Sequence, residues 1–196
     1  MNQSVAELIQ DYKTKVSNDW TLCKEGCFDE DIYRKHCSIL YHDFYKEIKK
    51  MDKKIIIDQI LLHLDNLSSE TDWDSEHYLW IDCITEVPDR VFIPYLVKIL
   101  KMQGDKVLYF PVLWVIKGLP EEIGEEAVPG ICEAISANNP FWTEYVFAEA
   151  FEALIFNLND MAEEFIYKSC SSDVPFIKKW ATYYRDNWLE NVEDDE

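Results

Sequence analysis

From residue 54 onward the chain repeats one pattern: an apolar stripe at helical spacing, a short polar break, then a second apolar stripe. Four segments read as first helices of a pair, 54–65, 91–102, 126–137 and 160–170, and four as their partners, 75–86, 106–118, 143–157 and 174–189. The breaks carry turn residues such as Ser68-Ser69, Pro88-Asp89, Gly104-Asp105, Gly118-Leu119-Pro120 and Asn138-Asn139-Pro140. Ile57, Ile93, Val128 and Phe165 take similar places in successive units, at spacings of 36, 35 and 37 residues. A helix pair recurring at such a period cannot bury its apolar face alone; stacking on its neighbours does so. The expectation is an all-α chain, and 5 glycines are too few for the tight turns of an all-β one.

Ahead of the repeats, Ser4 with Glu7 three residues on marks a helix start, and Val5, Leu8, Ile9, Tyr12 and Val16 continue it at helical spacing. A segment from Trp20 to Phe28 follows, with Gly26 predicting a break. A second helix is expected over 29–51, with Arg34, Lys35, Lys46, Lys49 and Lys50 on its polar side. The resulting plan is an N-terminal helical pair or cap over 1–53, repeats over 54–190 and an acidic tail over 191–196. The stretch Val107 to Ile116, apolar nearly all round, is about half of a bilayer span, and the first residues lack a basic-then-apolar leader. A soluble, cytoplasmic protein with no membrane partner is expected. The segment 106–118 reads as a buried central helix, with Pro111 either in its first turn or kinking it.

Two first helices share a finer motif. Ile93-Pro94-x-Leu96-x-x-x-Leu100 and Val128-Pro129-x-Ile131-x-x-x-Ile135 place a proline early, where its missing N–H has no intrahelical partner, before an apolar ridge. This resembles the first helix of HEAT repeats. The resemblance spans about residues 54–190; two of four units carry the proline, and the Asp and Arg common in the second HEAT helix are not evident. It implies an α-α superhelix (a HEAT-like solenoid) of about four helix pairs, whose second helices line a binding surface.

Charge is unevenly spread. The net −19 divides into −1 over residues 1–53, −4 over 54–118 and −14 over 119–196, and eleven acids but no Lys or Arg lie between Lys117 and Lys168. Such a field repels nucleic acid and anionic lipid and speeds encounter with basic partners. Chemistry motifs are absent: there is no phosphate-cradling glycine pattern, no Gly-x-Ser-x-Gly elbow and no His-Glu-x-x-His helix. The paired acids Glu121-Glu122, Glu125-Glu126 and Glu163-Glu164 fit helix starts, where the backbone dipole favours them. Cys23, Cys27, His36, Cys37 and His42 are residue types that bind zinc, but their spacing matches no zinc module, and His36 and Cys37 point to different helix faces. A disulfide or ordinary reduced thiols are the alternatives. The reading is a non-enzyme with no catalytic residue, no metal and no cofactor.

The candidate contact residues are acids and their aromatic neighbours. Glu144, Glu149 and Glu152 alternate with the apolar positions of 143–157 beside Trp142 and Tyr145. Asp82 and Glu86 from the first repeat would join that surface, with Glu121 and Glu122. Trp80, Trp114, Phe147, Phe151, Trp180 and Trp188 are assigned to packing. Acids beside exposed rings suit a Lys- or Arg-rich protein, without direct nucleic-acid binding. In size, charge and repeats the chain is similar to the small acidic HEAT-like immunity proteins of bacteria. That likeness implies tight one-to-one neutralisation of a toxin domain, often a basic nuclease. A scaffold or adaptor and a DNA mimic are the alternatives. A monomer is expected, or a weak dimer through the basic face of 34–54.

Overall fold

The structure, a computed structural model, describes residues 3–25 and 29–190. Among these residues all regular structure is helical and there is no strand. The acidic tail 191–196 lies outside them. The chain divides into two compact units, Met1–Leu64 with Asp74–Val87, and Asp65–Trp73 with Pro88–Glu196.

The first unit contains α1 (Val5–Lys24), α2 (Glu30–Ile48), α3 (Lys53–Asp65) and α4 (Ser75–Asp82), the last running into a 3-10 turn over Cys83–Glu86. The pair expected to open the repeat array at residue 54 therefore groups with the N-terminal helices. Ser4 caps α1 as its sequence implies: its hydroxyl accepts from the Glu7 N–H, and the Glu7 carboxylate accepts from the Ser4 N–H at 2.7 Å. The first N–H of the helix, on Val5, is satisfied by the Gln59 side chain at 2.8 Å. α1 continues past Val16 through Trp20, because 17–24 contains neither Gly nor Pro to stop it. Gly26, where the break was expected, lies outside the described residues. Asp29 caps α2, accepting from the Ile32 N–H at 2.7 Å. Val5, Ile9, Ile48, Ile56, Ile60 and Ile81 are buried, one or two from each helix, and form the centre of this unit.

The second unit begins with a 3-10 turn, Arg90–Phe92, leading into α5 (Ile93–Lys101), and continues through α6 (Tyr109–Lys117), α7 (Glu121–Gly124), a 3-10 turn over Glu125–Ala127, α8 (Val128–Ser136), α9 (Glu144–Phe156), α10 (Asp160–Ser169) and α11 (Pro175–Tyr184). A π-helical turn, Arg185–Leu189, closes it. Pro94 and Pro129 sit in the first turns of α5 and α8, as their motif requires. Each of these helices is entered through a 3-10 turn. Pro111 is the third residue of α6, again within a first turn, so it leaves the rest of the helix unbroken.

The first helices pack in succession, α5 on α8 and α8 on α10; so do the second helices, α6 on α9 and α9 on α11, and each pair packs internally. Ile93 and Val128 open α5 and α8 and are buried. Ile57 and Phe165 lie a turn or more into α3 and α10 and are half-buried, so residue-level equivalence holds only for the two units that carry the proline. The loop Asn138-Asn139-Pro140 does more than punctuate. Asn138 takes the left-handed conformation past the end of α8 (φ 49°). Asn139 is buried, donating to the Met102 carbonyl at 2.7 Å and accepting from the Phe141 N–H at 3.0 Å. No helix among the described residues is long and apolar enough to cross a membrane.

Candidate protein-binding face

Two helical rows meet in the second unit. α6 carries Phe110, Trp114 and Lys117 at i, i+4 and i+7, and α9 carries Tyr145, Glu149, Glu152 and Phe156 at i, i+4, i+7 and i+11. Positions so spaced share one side of a helix. Because α6 packs on α9, the rows are joined. The Phe110 ring stacks on Tyr145 with centroids 5.3 Å apart and lies 5.9 Å from Trp114. The Lys117 ammonium reaches the Glu149 carboxylate at 2.5 Å, bonds Glu152 as well, and lies 5.9 Å from the Phe156 ring centroid. α11 extends the set with Trp180, Tyr183 and Tyr184, whose rings are in mutual contact. Lys179 pairs with Glu144 and lies over Trp180 at 5.1 Å.

The triad at the centre of this face is withdrawn, and several of the rings around it are open. The side chains of Lys117 and Glu149 are 14% and 12% exposed. Trp114 is 56% and Tyr145 58% exposed, and Phe156 and Tyr183 are each about half exposed. Burial by itself pulls the Lys117 ammonium toward deprotonation; hydrogen bonds to Glu149 and Glu152 outweigh it and hold its pKa above that of an ordinary lysine. Tyr184 is pushed well above the usual phenol range by burial and then by the Glu152 and Glu149 charges. The triad of one ammonium and two carboxylates keeps one surplus negative charge.

Several expected contact residues are placed otherwise. Trp142 is 5% exposed and not on the face. It immediately precedes Thr143, the N-cap of α9, and packs edge-on against Phe147, the fourth helical residue, at 5.2 Å and against Tyr109 at 6.0 Å. That contact is a hydrophobic staple, which sets the angle of chain entry and removes the indole from solvent. Glu144, Glu149 and Glu152 belong to the face but are not free charges, since Lys179 and Lys117 reach across from neighbouring helices. Asp82 and Glu86 fall in the other unit and are engaged there: Asp82 accepts from the Tyr41 and Tyr45 hydroxyls, and Glu86 pairs with Lys49 at 2.9 Å. Glu121 and Glu122 are exposed on α7 and make no ion pair among the described residues. Tyr145 is exposed as expected.

The assignment of large aromatics to packing also divides. Trp80, Phe147 and Phe151 are buried, whereas Trp114 and Trp188 are not. α6 is therefore not buried all round; its Trp114 edge is open. One sequence signal pointed there: Lys117, the last base before the base-free stretch, sits three residues beyond Trp114. Among the described residues no group of three or more His, Cys, Asp or Glu is placed to hold a metal ion, and Cys27 lies outside them. Comparison with family models, curated proteins and solved structures found no match.

Proposed function

We propose that this chain is an acidic protein-binding module that recognises a basic protein surface, with α6, α9 and α11 as the contact face of a short HEAT-like solenoid. The observation that carries this reading is the exposed set Trp114, Tyr145, Phe156 and Tyr183 around the half-buried Lys117–Glu149–Glu152 triad. Exposed aromatic side chains are costly on a surface that meets only water, and Trp and Tyr are enriched where proteins meet. A Lys or Arg from a partner would stack on these rings and share Glu149 or Glu152 with Lys117, using the surplus negative charge. The excess of fourteen negative charges over 119–196 would speed the encounter. We favour an immunity protein that neutralises a bacterial toxin domain, such as a nuclease, over a scaffold or adaptor.

The test compares the protein with its Trp114→Ala/Tyr145→Ala variant for binding to basic toxin domains, nucleases included, at low and high salt. Both rings are exposed, so the variant should melt as the parent does. One domain held at high salt by the parent and lost by the variant is the expected result. Many basic proteins released together by salt, or equal retention by the variant, would overturn the reading.

A further inference from the structure

Lys117 ends α6 and is the last base before a stretch of eleven acids with no Lys or Arg. A lysine in the last turn of a helix ordinarily keeps its stem on the surface and its charge in water. Lys106 and Lys179 of the same unit, which also pair with acids, have side chains 65% and 59% exposed. Lys117 is folded in instead, at 14%. Its ammonium crosses to α9, bonds Glu149 at 2.5 Å and Glu152 as well, and lies 5.9 Å from the Phe156 ring centroid. Carboxylates and a ring face are what a partner's Lys or Arg would use there.

Holding the two helices together does not require this contact. α6 packs on α9, and each supplies fully buried apolar residues, among them Leu113 and Ile116 of α6 and Ala150 and Leu154 of α9. An enclosed ion pair adds little net stability over an apolar contact of like volume. What the ammonium changes is the charge offered to a ligand. With Lys117 in place, the two carboxylates present one surplus negative charge beside a cation that repels any second one. Without it they would present two, and no repulsion. An acidic surface draws basic proteins of every kind. A group that penalises binding by charge alone leaves the partner that also covers the rings.

We propose that Lys117 is a built-in competitor for the Glu149–Glu152 pair: it occupies the place of a partner's basic residue, lowers the affinity of the face for basic chains at large, and so sets its selectivity. This role rests on the protein-binding reading of the same face.

The experiment measures, by calorimetry at low salt, the affinity of the full chain and its variants for the basic peptide acetyl-(Gly-Arg)4-amide. Lys117→Met should bind it about ten-fold tighter than the parent. Lys117→Gln keeps a hydrogen-bonding group between the carboxylates and serves if Lys117→Met folds poorly; it should bind about three-fold tighter. Lys101→Met makes the same change in net charge on α5, where Lys101 pairs with Glu133 of α8, and should stay within about two-fold of the parent. Adding Glu149→Gln and Glu152→Gln to Lys117→Met should remove the gain. Binding by the parent with no gain, or a loss, in the Lys117 variants overturns the competitor role, makes Lys117 a strut between helices and leaves the protein-binding reading standing. An equal gain in Lys101→Met, or a gain that survives the two glutamines, overturns it too, since the overall field of the protein would then be the cause. No measurable binding by the parent or any variant overturns both.

Discussion

His63 shows what a single side chain is made to tolerate. Its ring stacks flat on Trp80, with centroids 4.6 Å apart and planes 12° from parallel, and lies 5.3 Å from the His77 ring. Its Nε2 is buried without a hydrogen-bond partner. Burial, and then the neighbouring His77, lower its pKa from 6.5 to about 4, against smaller opposing effects of Glu76 and Asp74. The unfolded chain therefore takes up this proton first. The site's contribution to stability is complete above about pH 6.5 and is lost as pH falls toward about 4. His63→Phe keeps the stack and removes the orphaned nitrogen. It should be at least as stable as the parent at pH 7 and show a shallower loss of stability between pH 6.5 and 4, read from urea unfolding at a series of pH values. Lys117 presents the opposite case. Lys117→Met leaves Glu149 and Glu152 facing each other without a counter-ion and should lower stability by about 2–3 kcal/mol; adding Glu149→Gln and Glu152→Gln should recover part of it. Neither effect was readable along the chain, because His63 and Trp80 are seventeen residues apart and Lys117 and Glu152 thirty-five.

Among elements, the close approach of α5 and α8 depends on a glycine. A methyl group on Gly130 would fall on the Val97 side chain. Alanine at a helix interior is otherwise favoured over glycine by about 1 kcal/mol, so two effects of opposite sign compete at one position. Overpacking costs about 1–3 kcal/mol and should win. Gly130→Ala is expected to destabilise by about 1–2 kcal/mol, and the Val97→Ala/Gly130→Ala double variant to be less destabilised than the sum of the single changes, as a denaturant-unfolding cycle would show. The elements themselves were legible. Ser4 with Glu7, and the prolines at 94 and 129, act through groups within one helical turn, and the structure has each helix start where they mark it. The end of α1 was not, since it was inferred from spacing rather than from a stop signal.

For the whole molecule, charge balance and ion pairing pull in different directions. Many carboxylates find a base, as in Lys13–Glu76, Lys49–Glu86 and Lys106–Asp72, but exposed pairs contribute only about 0–1 kcal/mol each. A net charge of −19 is a repulsion spread over the entire chain, and salt screens it. Added salt should therefore raise the melting temperature, measured by calorimetry from about 0.01 to 0.5 M NaCl; a fall would mean that the ion pairs dominate.

The sequence by itself determined the all-helical class, the helix starts and the lopsided charge, because periodicity, caps and composition act within a turn or sum over the chain. Tertiary structure alone decided which acids are free and which rings are open. Those properties belong to pairs of helices. Lys117 finds Glu149 and Glu152 only because α6 lies on α9; Trp142 leaves solvent because it folds beneath the start of α9, while Trp114, equally apolar, stays outside because no helix among the described residues covers its edge.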